Sequence, residues 1–136
     1  MLKDIQFKKV TDVAIAIVPR RNTMHQDDLW DVFLLNLKNT PIKSVIVNAK
    51  GYNITASDKR ETTNLKYFYE QLQGKSAIII EPIQVQLFDF TNQYWISFLH
   101  NDFLYDKKYI FVKGSINPMN FTTIPIINKK GVMIRS

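Results

Sequence analysis

The chain has 136 residues, 46% of them hydrophobic, with no cysteine and a formal net charge of +6. That length suits one domain over 1–136, with enough apolar side chain to build a core without a metal or cofactor. The absence of cysteine excludes disulfide frameworks, thiolate zinc sites and cysteine nucleophiles. The charged start MLKDIQFKKV and the short apolar runs are those of a soluble cytoplasmic chain with no membrane span.

Period-two patterning dominates from the first element onward. Val13 to Val18 is β-rich and stops at Pro19, and the polar stretch Arg20 to Asp28 reads as a loop. Trp30 to Leu37 is a strand closed by Asn39-Thr40-Pro41, and Ile42 to Val47 is the next. Asn48-Ala49-Lys50-Gly51 has the residue types of a type I turn. The mixed-charge run Ser57 to Glu61 reads as a hairpin tip.

Leu65, Phe68 and Leu72 fit one helical face, but the aromatic run Tyr67-Phe68-Tyr69 and the turn-like QGKS favour a strand over 64–72. Ser76 to Glu81 is a strand ending before Pro82. Ile83 to Phe90 fits either a strand or a short helix opened by that proline.

Tyr94 to His100 and Phe103 to Val112 form the clearest hairpin, turning at Asn101-Asp102, two residue types that tolerate positive φ. The turn fixes the register. His100, Phe98, Ile96 and Tyr94 face Phe103, Tyr105, Lys107 and Tyr109 on one side. Leu99, Ser97, Trp95 and Gln93 face Leu104, Asp106, Lys108 and Ile110 on the other. Both sides are substantially apolar, so one is expected in the core and the other under a further segment or a partner. The aromatic side, interleaved with lysine, also has the composition of a base-stacking platform, although KKYIFVKG lacks the glycine of the RNA-recognition signature.

The last segment, Ile124 to Ile134, reads as a hairpin whose tip, Asn128-Lys129-Lys130-Gly131, presents two lysines. Pro125 assigns its strand to an edge or a bulge. Some seven or eight strands separated by turns predict an all-β fold, an antiparallel immunoglobulin-like β-sandwich, with a small β-barrel as the alternative.

Charge is segregated. Acids and bases cancel over residues 1–106, whereas Lys107, Lys108, Lys113, Lys129, Lys130 and Arg135 follow without an acid. With Tyr105 and Tyr109 they form the candidate interaction surface, for a protein partner, a second copy, or nucleic acid steered by the basic end.

Catalytic patterns are sparse. His25, Asp27 and Asp28 make the best polar cluster, but His100 is the only other histidine, too few for a usual metal site. There is no nucleophile-elbow serine and no Gly-rich phosphate loop. A non-catalytic module without a cofactor or small-molecule substrate is the expectation.

The stretches LWDVFLLNLKNTPIKSVIVNAKGY, YWISFLHNDFLYDKKYIFV and IPIINKKGVMIR resemble a family of short bacterial proteins. Some members of that family are named phenylalanyl-tRNA synthetase alpha subunit. The name implies a link to tRNA charging. A class II synthetase core is a large mixed α/β domain that holds ATP with arginines. This β-rich chain has four arginines and no Gly-rich motif ending in one, so aminoacylation is not expected.

Overall fold

The computed structural model describes residues 9–20, 29–54, 59–61 and 64–136. Among these lie ten strands: β1 (Val13–Pro19), β2 (Leu29–Asn36), β3 (Ile42–Ile54), β4 (Lys59–Glu61), β5 (Leu65–Leu72), β6 (Ser76–Gln84), β7 (Thr91–His100), β8 (Phe103–Phe111), β9 (Thr122–Ile124) and β10 (Lys129–Arg135). All pairings are antiparallel. One sheet runs β6-β2-β1-β10-β9. The other runs β4-β3-β7-β8, with β5 beside β4 on the same edge of β3. The chain therefore forms the predicted two-sheet sandwich and not a closed barrel. Pairing of β2 with β6 and of β3 with β7 gives it immunoglobulin-like connectivity. Among the described residues no helix is long and apolar enough to cross a membrane.

Alternation puts one face of each sheet inside. Val13, Ile15, Ile17, Val32 and Leu34 meet Val45, Val47, Tyr94, Ile96, Phe98, Tyr109 and Phe111, all buried. The aromatic side of the β7–β8 hairpin is thus core, not platform. Each such side chain contributes about 1.5–3 kcal/mol by leaving water. Tyr109 is pinned there, its hydroxyl donating to the Val13 carbonyl at 2.8 Å and so joining the two sheets.

A bulge makes the second tie. In the β2–β6 ladder Val32 pairs with Glu81 and Phe33 with Ile79, which leaves Ile80 as the extra residue. The shift of phase turns Glu81 inward after Ile80, where its carboxylate accepts the Tyr67 hydroxyl of β5 at 2.5 Å and the Tyr94 hydroxyl of β7 at 2.9 Å. Two of the crossovers between sheets, β2 to β3 and β5 to β6, meet at Asn36, whose buried carboxamide donates to the carbonyls of Thr40, Leu72 and Gln73.

Three local expectations are corrected. Asn48-Ala49-Lys50-Gly51 is not a turn, because β3 continues through it with β7 on one side and β5 on the other at Asn48 and Ala49. Ladders on both edges outweigh turn propensity. β6 does not stop before Pro82 but runs to Gln84, since β6 is an edge strand and proline there forfeits no ladder bond. Residues 85–89 then form a short 3-10 helix. The last hairpin does not turn at Asn128 to Gly131. β9 ends at Ile124, the turn runs through Pro125 to Asn128, and Lys129 and Lys130 pair with Ile124 and Thr123 inside β10. Proline ends the ladder early, and Ile126 and Asn128 take the positive φ values of 71° and 54°.

This displaced hairpin also covers the first sheet from outside. Ile124 and Ile127 pack on Ala14, Ala16, Val18 and Leu35, whose side chains face away from the main core. The alanines leave room for that close approach. Gly131 is required for the same reason, since a Cβ there would lie 2.6 Å from the Ile17 carbonyl oxygen.

Candidate functional site

The first sheet is covered on its inner face and, over β1 and β2, on its outer face as well, while Ile79 at its β6 edge stays exposed. The second is covered on one, and its outer face is where large apolar groups remain in water. By register, each cross-strand row of that face holds one residue from each strand it crosses. Phe68, Ile46, Ser97 and Asp106 form one row, and Lys66, Asn48, Trp95 and Lys108 the next. Lys50, Gln93 and Ile110 form the third. Phe68 is 63% exposed, Trp95 39%, Ile110 40% and the adjoining Val112 57%.

The polar groups between them hold Trp95 in place. Its indole N–H donates to the Asp106 carboxylate across the hairpin, and Ser97 donates its hydroxyl to the same oxygen at 3.2 Å. Lys108 places its ammonium 4.7 Å from the centre of the Trp95 ring, a cation–π contact at an exposed site. Beside the ring opens a groove of about 330 Å³ lined by Asn48, Lys50, Asn64, Gln93, Trp95 and Lys108. Lys50 is 3.4 Å from Glu61.

The residues singled out from sequence do not converge. Tyr109 is buried in the core and forms no part of the surface. Tyr105 stacks on Phe98 with centroids 5.0 Å apart, and Lys107 leans toward the Tyr109 ring on that inner side. Lys108 stands on the outer face of the second sheet. Lys113 follows β8 and is exposed. Lys129 and Lys130 line a separate groove of about 420 Å³ with Val18, Pro19, Arg20 and Phe121 beside the first sheet. Arg135 pairs with Asp12 at 3.1 Å.

Phe68, Asn48, Lys50 and Lys66 were missed. The alternation Lys66, Phe68, Glu70 against Tyr67, Tyr69 carries the signal for Phe68 and Lys66, once 64–72 is a strand. The other two were hidden by the false turn at 48–51.

Two further places bear on catalysis. His100 Nε2 lies 2.7 Å from the Thr40 hydroxyl, and burial, then repulsion from Lys38, holds the imidazole below its ordinary pKa. Among the described residues its Nδ1 is buried without a partner, so no acid there orients the ring as a catalytic histidine requires. Glu81 borders a concavity of about 290 Å³, but both of its oxygens already accept tyrosine hydroxyls. His25, Asp27 and Asp28 lie outside the described residues, as do Ser57 and Asp58. Among the described residues no group of three His, Asp or Glu is placed to hold a metal.

Comparison with protein-family models, with curated proteins and with solved structures gave no match. The resemblance to the short bacterial family rests on the quoted stretches alone.

Proposed function

We propose that this protein is a non-catalytic recognition module that engages another macromolecule through the outer face of the β3, β5, β7 and β8 sheet. The observation that carries the reading is the set Phe68, Trp95, Ile110 and Val112, exposed together on one sheet face, whereas the outer face of the other sheet is covered over β1 and β2 and leaves only the isolated Ile79 exposed among the large apolar side chains of β1, β2 and β6. Contiguous exposed apolar groups rimmed by polar ones mark contact surfaces. A rigid tryptophan at the centre is a common anchor of such surfaces. A single basic surface made from the last 30 residues draws no support from this geometry, because Lys108 and the pair Lys129 and Lys130 belong to different sheets.

The test is site-specific crosslinking in cells, with a photoreactive residue at position 68, 95 or 110 and a control at Ile79, an exposed position on the first sheet. A discrete adduct from the three positions and none from the control is expected, whether it joins a second copy, another protein or nucleic acid. Equal labelling from all four positions, or none, overturns the reading. Phe68→Ser is the accompanying control for fold, with stability changed by no more than about 0.5 kcal/mol.

A further inference from the structure

Resting on that reading of the face, we propose that the Trp95 groove binds single-stranded nucleic acid, with a base stacked on the indole and the neighbouring phosphates held by Lys66 and Lys108.

Three kinds of group meet here, and single strands present the complement of all three. The first is a ring with a fixed plane. The Asp106 carboxylate holds the indole at its N–H edge, so its face is preorganised for stacking. The second is a ring of cations. Lys108 sits beside Trp95 in its own row, Lys66 ends that row on the far side of Asn48, and Lys50, paired with Glu61, stands in the next. The acids nearest the ring are already engaged, Asp106 by Trp95 and Ser97 and Glu61 by Lys50. Glu70, the remaining acid on the outer side of β5, lies beyond Phe68 at the far end of that strand. The third is a set of carboxamides. Asn48, Asn64 and Gln93 line the groove and offer paired donors and acceptors of the kind that read base edges.

Other ligands match only part of this. An acidic peptide pairs the lysines but leaves the carboxamides and the ring face without a specific counterpart. A neutral sugar uses ring and carboxamides but leaves the cations unanswered. A duplex hides its base faces.

Phe68 extends the platform. It lies two strands and one row from Trp95, roughly 12 Å by strand geometry, a span that a single strand covers in a couple of nucleotides. The arrangement is an exposed sheet face with two aromatics and interspersed lysines, the combination used for sequence-tolerant single-strand binding. Lys108 rests over the indole, and a base arriving on the ring would displace it toward the phosphate.

The experiment is fluorescence anisotropy with labelled oligouridylate and oligothymidylate, titrated with the full chain at several salt concentrations. Duplex of equal length, heparin and polyglutamate serve as competitors. Single strands are expected to bind and duplex to compete poorly, and the log–log salt slope should be about −1.4 for two neutralised phosphates. Trp95→Ala should weaken binding roughly 5- to 150-fold with the fold intact by circular dichroism, and Lys66→Gln with Lys108→Gln should flatten the salt slope. Absence of binding at low salt overturns the proposal, as does binding that Trp95→Ala leaves unchanged. Competition by heparin equal to that by single strands marks generic attraction to a basic protein, and stronger competition by polyglutamate assigns the groove to an acidic polypeptide. Each of those outcomes also overturns it. Crosslinks from positions 68, 95 and 110 would survive any of these failures, so the two readings fail separately.

Discussion

Tyr109 and Val13 meet in the middle of the sandwich, where the phenol of β8 donates to the main-chain carbonyl of β1 at 2.8 Å, 96 residues away in sequence. The same carbonyl also accepts the Ser136 amide, and the Ser136 hydroxyl donates to the phenol. Tyr109→Phe removes the phenol without emptying the ring's place, and the carbonyl keeps its second donor. A loss of about 1 kcal/mol in stability is expected, read as a lower urea midpoint with an unchanged slope. A changed slope would mean that the sheets had separated.

The tyrosines of the core also set an alkaline limit. Burial pushes Tyr109 up to about 12 from an ordinary 10, with the Ser136 hydroxyl opposing it. Burial and the Glu81 carboxylate raise Tyr94 and Tyr67 as well. A raised folded pKa means stability that is complete below the unfolded value and is lost as pH rises through the folded one. Stability should therefore fall as pH climbs from 10 toward about 12, with tyrosinate absorbance appearing together with unfolding. Tyr109→Phe should show a smaller loss over that window. Tyrosines that titrate near their ordinary value while the fold persists would contradict this.

Glu81 is the acceptor for two hydroxyls that both donate. A glutamine offers one acceptor oxygen and one amide that must itself find an acceptor. Glu81→Gln is expected to cost about 1–3 kcal/mol. A double-mutant cycle with Tyr67→Phe should return a coupling of at least about 0.5 kcal/mol. Additive losses would show that the carboxylate and the phenol act independently.

Gly131→Ala tests the covering of the first sheet. The new Cβ would press on the Ile17 carbonyl oxygen and the Val18 side chain, at 2.6 and 2.8 Å. Two rigid neighbours give little, so a destabilisation of about 1–3 kcal/mol is expected. Hydrogen exchange should quicken first in the β1 and β10 amides. Uniform quickening across both sheets would point to a global effect instead.

The sequence was most legible where local chemistry and long-range pairing agreed. Asn101 and Asp102 take positive φ, 51° and 68°, and the register they impose matches the structure from His100↔Phe103 to Tyr94↔Tyr109. It was least legible where pairing outweighed local preference. Asn48 to Gly51 carries turn residues yet lies within a long central strand. Ile80 and Glu81 break the alternation through a bulge that no residue type announces. The site followed the same division. Trp95 opposite Lys108 was readable from the hairpin, but its neighbours Lys66 and Asn48 depend on which strand lies beside β3. Charge counted along the chain also misled, since consecutive strands carry their lysines to different sheets.

The pairing of β1 with β10 has a kinetic consequence. Ala14 lies opposite Arg135, and β1 is the strand that joins β2 to the final hairpin. The ladder at the centre of the first sheet therefore waits for nearly the whole described chain to be made. Contacts this distant in sequence place the protein among slow-folding β topologies, on a scale of milliseconds to seconds. Until β10 arrives, the edge of β1 and the apolar side bearing Ala14, Ala16 and Val18 are open. A nascent chain halted before Thr122 would then be sticky on the side that the finished molecule seals.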